Sequence, residues 1–341
     1  MVENTALSDR ERLVLQAVVE TYVSIGDPIG SGILSKREDL GISSATIRNT
    51  LSSLEERGYV RQPHTSAGRV PTDSGYRVFV ENAMATGMWD SEVGGELKER
   101  LEAELREQNL DEIVGQLARA IGDISEQLGL VMAPRFEQGV FERLELVHLA
   151  ADRIHLVISI EQGLVRSMTI EIGTRISREQ LETTNRLLNE RLSGLTMAEI
   201  RSSVHDRLLS IESGSPQLIR LVAEEIKRLT GPSGSDLYVA GTRNICLKPE
   251  FHDPSTMADL MDLVEEKEDL ARFLMDRHGV VVTIGDENAP EAMRGCSVVT
   301  SSYRVNGAMG IIGVMGPTRM PYREVVTLVN YAAWRAAGMA N

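Results

Sequence analysis

Cysteine is almost missing from this chain: Cys246 and Cys296 are the two among 341 residues. They stand 50 positions apart, in no metal-ligand or redox spacing. That excludes a disulfide framework and a zinc module, and the expectation is two small buried residues in a reducing compartment. Long apolar runs are missing too. None approaches the roughly 18 residues of a membrane helix, and the opening residues Met1–Leu13 are charged where a signal peptide would be apolar. No membrane association and a cytoplasmic location are therefore expected. Catalytic patterns are also lacking. The six histidines form no H-E-x-x-H and no zinc spacing with cysteine, and there is no G-x-S-x-G elbow. His148 and His155 fall on adjacent expected strands and could approach each other. No carboxylate pattern accompanies them, so they read as structural. Gly307, Gly310, Gly313 and Gly316 recur at every third position. Phosphate loops lead from a strand into a helix and end on a basic or hydroxyl residue, whereas these glycines are separated by Ile311, Ile312, Val314 and Met315, which reads as tight strand packing. No enzyme activity, cofactor or metal is expected.

The charge balance is strongly acidic, −14 in total, which by itself argues against nucleic acid. Its distribution argues otherwise. Between Lys36 and Arg77 seven basic residues outnumber five acidic ones, so this stretch is +2 and the rest of the chain is −16. Non-specific DNA affinity should be modest and salt-sensitive, with specificity supplied by base contacts and by the pairing of two half-sites.

What is present is concentrated between Ser43 and Asp73. Ile47, Leu51 and Leu54 fall at i, i+4 and i+7, one apolar stripe of a helix that Ser43 caps and Gly58 stops. Ser44, Ala45, Arg48, Asn49, Ser52 and Ser53 lie off the stripe, and arginine and asparagine are the side chains that read guanine and adenine edges bidentately. Tyr59–Gln62, the turn-rich His64–Gly68 and Arg69–Pro71 follow as a short hairpin with a basic, polar tip. Ahead of this unit, Ser8-Asp9-Arg10-Glu11 is a capping box opening a helix whose stripe is Val14, Val18, Tyr22 and Ile25, and Gly30-Ser31-Gly32 opens a short second helix. Thr72-Asp73 caps one more. Helix, short helix, recognition helix and hairpin make a winged helix-turn-helix, which places a helix in the major groove and a wing on the backbone or minor groove. Two polar residues alone would not outweigh a solvated helix face; the capped helix and the wing beside them do. Arg61 and Arg69 flank the wing tip and suit phosphates, while His64, Thr65 and Ser66 sit at the tip, where a narrow groove or the sugar backbone is reachable. A plain hairpin turn is the alternative there. The expected DNA-contacting set is Ser43, Ser44, Thr46, Arg48, Asn49, Arg61, His64, Thr65, Ser66 and Arg69.

Downstream, the apolar repeat through Leu97–Leu105 and Leu110–Leu128 reads as a core-facing helix rather than a coiled-coil seam. Leu144–Leu149, Arg153–Ile160 and Leu164–Ile172 alternate as an antiparallel meander. Capping boxes at Ser177 and Thr196 open two helices, Pro216 begins a third, Leu237–Gly241 and Asn244–Leu247 read as short strands, and Asp253-Pro254 starts an acidic helical pair running to His278. Val280–Ile284, Cys296–Val305 and Ala308–Met315 resume the strand pattern around the turn Asn306-Gly307, and Pro321 opens a closing helix carrying Val325, Leu328, Val329 and Ala332. Strands, a mostly helical excursion and strands again give an α+β chain with an insertion. The expected boundaries are 1–88 for the DNA-binding head, 89–181 and 278–341 for the two parts of an α/β domain, and 182–277 for the insertion.

The stretches Ser43–Tyr59 and Gln62–Arg77, with Ile284-Gly285-Asp286-Glu287-Asn288 and Gly316-Pro317-Thr318-Arg319-Met320 far downstream, resemble the heat-inducible transcription repressor HrcA family of bacteria. The resemblance runs from about Leu7 to Ala337 and is weakest over 182–277. It implies a winged helix-turn-helix head, a GAF-like domain interrupted by a dimerising insertion, and a homodimer on an inverted-repeat operator (CIRCE) upstream of chaperonin and chaperone operons. It names the chaperonin GroEL as corepressor. A regulator gated by a small ligand in the GAF-like domain is the alternative.

Overall fold

The computed structural model describes residues 7–65, 67–87, 95–104, 110–134, 139–150, 152–161, 165–172, 176–208, 215–229, 236–305 and 308–338. The fold is α+β, in two compact units: 1–131 with 238–301 and 312–333, and 132–237 with 302–311 and 334–341.

The first unit opens with α1 (Asp9–Ile25), whose capping box is formed as expected: the Ser8 hydroxyl accepts from the Glu11 amide and the Glu11 carboxylate accepts from the Ser8 amide. Its buried face is Val14, Leu15, Ala17, Val18 and Val19; Ile25, expected on the stripe, is 51% exposed because the helix is already ending at Gly26, which holds a left-handed φ of +83°. The single turn α2 (Ser31–Leu34) follows, then α3 (Ser44–Glu56), the strands β1 (Val60–Arg61) and β2 (Val70–Pro71), and α4 (Asp73–Ala85). β1 and β2 are antiparallel, with Val60 opposite Pro71. Ile29 adds a bridge on the far side of the hairpin, exchanging both backbone hydrogen bonds with Arg69 at 2.8 Å. Gly68 is required there, since a Cβ would overlap the Ile29 carbonyl. Thr72 caps α4 and also donates its hydroxyl to the Gly58 carbonyl at 2.6 Å, locking the end of α3 to the start of α4.

After α5 (Gly95–Glu104), α6 (Leu110–Ser125) buries Val114, Leu117, Ala118, Ala120 and Ile121 and leads into β3 (Leu128–Met132). Gly129 of β3 lies so close to the Ala118 carbonyl that a Cβ would overlap it. α6 is thus a core-facing helix laid directly on the sheet.

The second unit carries β4 (Phe141–Ala150), β5 (Arg153–Ile160) and β6 (Val165–Glu171), an antiparallel sheet in that order, with α7 (Arg178–Leu192), α8 (Met197–Leu208) and α9 (Pro216–Leu229). Leu144, Leu146, Ile154, Leu156, Ile158 and Ile170 of the sheet share one core with Leu188, Leu192, Ile200, Val204, Val222 and Ile226 of the helices. Asn189 of α7 pairs both ways with the Leu144 backbone, at 2.9 and 2.8 Å, and Asn185 accepts from the Leu146 amide at 3.2 Å. These side chains occupy backbone groups on the edge strand that would otherwise invite another strand. Residue 182, the expected start of the insertion, lies within α7, whose Leu188 and Leu192 share the core of the meander. The acidic pair expected at the far end of the insertion belongs to the first unit.

The chain continues with β7 (Leu237–Ala240), α10 (Thr242–Cys246), α11 (Pro254–Glu265), α12 (Lys267–Leu274), β8 (Val280–Ile284), β9 (Cys296–Val305), β10 (Ala308–Pro317) and α13 (Tyr322–Gly338). The five strands are ordered β7-β3-β10-β9-β8. Of Asn244–Leu247, expected as a strand, Asn244–Cys246 ends α10 and Leu247 is its C-cap. Gly241 turns the chain at φ +87°, and the Asn244 amide donates to the Gly122 and Gln127 carbonyls at 2.9 and 3.0 Å. One cysteine also departs from expectation: Cys296 is buried, its thiol pushed up to about 12 by burial, but Cys246 is exposed. β10 is buried along its whole length, and Gly310, Gly313 and Gly316 sit against Tyr303, the Val299–Thr300 backbone and side chain, and Gln127. That is the packing role expected of these glycines; the turn Asn306-Gly307 lies outside the described residues. Among the described residues no helix is long and apolar enough to cross a membrane.

Candidate nucleic-acid interface

α3 has two faces with opposite chemistry. Ile47, Leu51 and Leu54 are buried, as their spacing predicts, and burial of each contributes about 1.5–3 kcal/mol. Thr50 joins them, a residue the apolar count missed; its hydroxyl is satisfied by the Thr46 carbonyl at 3.0 Å. Ala45, Arg48, Asn49, Ser52 and Glu56 are exposed. They recur at i, i+3, i+4, i+7 and i+11, a single solvent stripe opposite the core. The side chains of Arg48 and Asn49 make no hydrogen bond or ion pair among the described residues. Ser43 and Thr46 are differently employed: the Ser43 hydroxyl caps the helix, accepting from the Thr46 amide at 3.2 Å and lying 2.9 Å from the Thr46 hydroxyl. Ser44 bonds to Ser31 of α2 at 3.4 Å. The stripe therefore presents small, cationic and amide groups at its N-terminal half and an acid, Glu56, near its C-terminal end.

The hairpin places Arg61, His64 and Thr65 exposed at its tip; Ser66 lies outside the described residues. Gln62, unremarked in the sequence, holds the tip in shape: its amide donates to the Thr65 and Ala67 carbonyls at 2.9 and 2.8 Å. Arg69 is engaged within the fold. Its guanidinium pairs with Glu55 of α3 at 2.7 Å, tying the hairpin to the helix.

This pairing extends to most of the head's cations. Arg37 is held by Glu20 and Asp39, Arg57 by Glu11, Arg69 by Glu55 and Arg77 by Glu287. Of the seven basic residues in the +2 stretch, Lys36, Arg48 and Arg61 have no ion pair among the described residues. Lys36 stands on the exposed turn after α2, outside the expected contact set; what singles it out is that it has no ion pair among the described residues, which is a tertiary fact.

Glu11 organises the helices behind this face. Its carboxylate accepts from the Ser8 amide (2.9 Å), the Ser8 hydroxyl (2.7 Å), the Ser53 hydroxyl (2.9 Å) and the Arg57 guanidinium (3.1 Å), joining α1 to α3. Foremost the Ser8 amide, then the Ser8, Ser53 and Arg57 donors, draw its pKa from 4.5 down to about 2 against the opposing effect of desolvation. A carboxylate depressed in the folded state stabilises above its unfolded pKa and stops doing so as the pH falls through 4.5 toward 2. Glu11→Gln should therefore cost about 1–2 kcal/mol at pH 7, allowing for solvent screening, and nearly nothing at pH 2. Urea unfolding of both proteins across this range checks it. A gap that does not narrow on acidification would contradict the assignment.

Among the described residues no cluster of three or more His, Cys, Asp or Glu could hold a metal ion. The strand register sets Val147 opposite His155 and His148 opposite Ile154, so the two histidines point to opposite faces of the sheet and form no pair.

Comparison with known proteins bears on all of this. Residues 111–326 match the family described as HrcA protein C terminal domain. The chain is 40% identical to the heat-inducible transcription repressor HrcA of Prosthecochloris aestuarii, over 96% of each chain. It is 38% identical to the protein of that name from Chlorobium phaeobacteroides, over 96% of this chain and 97% of the relative. A crystal structure of a hypothetical protein shares its fold with a TM-score of 0.63 at 24% identity, covering 98% of each chain.

Proposed function

The chain belongs to the heat-inducible transcription repressor HrcA family, and from that premise we propose that it represses chaperonin and chaperone operons by binding an inverted-repeat operator (CIRCE) as a homodimer, its activity set by the chaperonin GroEL. The family is one of repressors, not enzymes. We read α1–α4 with the hairpin as a winged helix-turn-helix, and the five-stranded sheet with its helices as a GAF-like domain interrupted by the 132–237 segment. The observation that carries the DNA reading is the pair Arg48 and Asn49, exposed and unengaged at the N-terminal half of a helix whose other face is buried. In this reading α3 enters the major groove by that half, Lys36 and Arg61 meet phosphates, and Ser43, Ser44, Thr46, His64, Thr65, Ser66 and Arg69 shape or line the contact.

The dimer reading draws support from the second unit. Its helices cover one face of the sheet, and Val147 and Val165 stand 44% and 59% exposed on the other. An inverted repeat calls for a two-fold protein, and this open face, with two exposed valines among polar residues, suits an isologous contact. Val147→Asp combined with Val165→Asp should convert the dimer to a monomer in sedimentation. A stable dimer would move the interface elsewhere, Leu97–Leu128 being the next candidate.

GroEL control has a simple physical route. A chaperonin binds chains that expose apolar surface, and a multidomain repressor can populate a loosened form that does not bind DNA. If GroEL returns that form to the folded dimer, unfolded proteins compete for it during heat stress and active repressor falls. GroEL must then act differently on the two states. The test selects duplexes from a random pool on the full-length chain, then titrates active protein with the enriched DNA. Enrichment of an inverted repeat is expected, with an active fraction that GroEL raises and a denatured competitor lowers. An active fraction near unity that GroEL leaves unaltered defeats the chaperonin reading. One observation favours a second reading, gating by a small ligand: a cavity of about 540 Å³ lined by Val19, Val23, Phe79, Met320, Tyr322 and Arg323, within the size range of ligand sites.

A further inference from the structure

The sequence holds two motifs far from the head, Ile284–Asn288 and Gly316–Met320, that no part of the DNA-reading argument employs. Both touch the head. Arg77 of α4 grips Glu287 with two nitrogens: its Nε donates to Oε1 at 2.7 Å, and a terminal nitrogen bonds both Oε2 and, at 2.7 Å, the Val282 carbonyl. Glu287 is itself fixed, accepting from the Ile284 amide at 2.9 Å. One turn earlier on α4, the Asp73 carboxylate accepts from the Asp286 amide at 3.4 Å and lies against Gly285, whose φ of +55° and lack of a Cβ make the approach possible.

The other motif reaches α1. Arg319, anchored by Glu250 at 2.6 Å, donates to the Val23 carbonyl at 3.3 Å. That carbonyl belongs to the last turn of α1, where a cation is favourable. The guanidinium also lies over Gly26, 3.3 Å from where a Cβ would stand. Between the two ties the rings of Tyr76 and Tyr322 meet at 5.7 Å. Neither arginine is available to DNA, and each is bound to a rigid partner.

We propose that Arg77–Glu287 and Arg319 are positioning residues, a two-point clamp that fixes the orientation of the DNA-reading head and thereby the half-site spacing the dimer accepts. This rests on the reading of a dimer on an inverted repeat. Two recognition helices can engage together only if their separation and angle match the DNA. A head free to pivot would reach half-sites at several spacings, whereas a clamped head accepts one.

The experiment uses full-length protein and the inverted repeat enriched on it, with the central spacer lengthened or shortened in single base pairs, and a single half-site duplex as control. The wild type should bind its native spacing at least tenfold more tightly than spacings altered by two or more base pairs. Glu287→Ala and Arg319→Met should each compress that ratio to about threefold or less, while half-site affinity stays within about twofold. Arg77→Lys, which keeps a cation beside Glu287, should hold the ratio near that of the wild type, whereas Arg77→Met should compress it as Glu287→Ala does. Should Glu287→Ala fold poorly, the Arg77→Lys and Arg77→Met pair still decides, since neither disturbs the Ile284 amide that donates to Glu287. Folded Glu287→Ala, Arg319→Met and Arg77→Met variants with the wild-type ratio overturn the clamp. A wild type indifferent to spacing overturns the dimeric operator reading and the clamp with it.

Discussion

Ile47→Asp should unfold the DNA-reading head while leaving the second unit intact. Ile47 is fully buried at the centre of the α3 stripe, among Leu51, Leu54 and the apolar face of α1. Removing its side chain forfeits several kcal/mol of packing, and the carboxylate that replaces it must be desolvated or protonated. A cost of about 4–6 kcal/mol is comparable with the whole stability of a small domain, which is about 5–15 kcal/mol.

The core of the 141–226 region is separate and supplied by its own strands and helices, so the damage should be local. Hydrogen exchange read by mass spectrometry resolves the two: amides of 7–87 should lose protection, and those of 141–229 should keep it. Operator binding should disappear together with the head's protection. A variant with wild-type protection across α1 and α3 would mean that the buried face of α3 has been misidentified.

The head was legible in the sequence because its signals are local. Ser8, Ser43 and Thr72 sit at the starts of α1, α3 and α4 and cap them as their types require. Ile47, Leu51 and Leu54 declare the buried side by spacing alone. What the sequence hid was tertiary. Arg69 has Glu55 beside it, and Arg57 is paired across 46 residues with Glu11. Arg77 finds Glu287 across 210. Periodicity assigns faces, but it does not tell which cation has an acid in reach. The extent of the insertion is hidden for the same reason. The change from strands to helices near 180 looks like a domain boundary, yet Leu181 and Leu188 of α7 complete the core under β4–β6. Asn244–Leu247 reads as a strand because a short apolar run is ambiguous between strand and helix. The Asn244 side chain settles the matter through two carbonyls more than a hundred positions earlier.

Replacing Arg48 and Asn49 together by alanine should abolish operator recognition without disturbing the fold. Both are exposed, and neither side chain bonds to the described residues. Alanine also favours a helix interior. The thermal midpoint should therefore stay within a degree or two of wild type. On the enriched operator, each lost bidentate base contact is worth about 1–3 kcal/mol. The neighbouring pair together should cost about 2–5 kcal/mol, roughly 30-fold to several-thousand-fold, with some non-additivity because the two share one stretch of groove. On a random duplex the loss should be much smaller, since only one positive charge has gone. Arg61→Ala supplies the contrast. A phosphate contact at the hairpin tip should weaken operator and random DNA alike and lower the salt dependence by about one ion. Fluorescence anisotropy at three or more salt concentrations, on both duplexes, separates these outcomes. If the double variant falls equally on operator and random DNA, the face grips the backbone and base reading lies elsewhere. If it loses nothing on the operator, the exposed stripe of α3 is not the recognition surface.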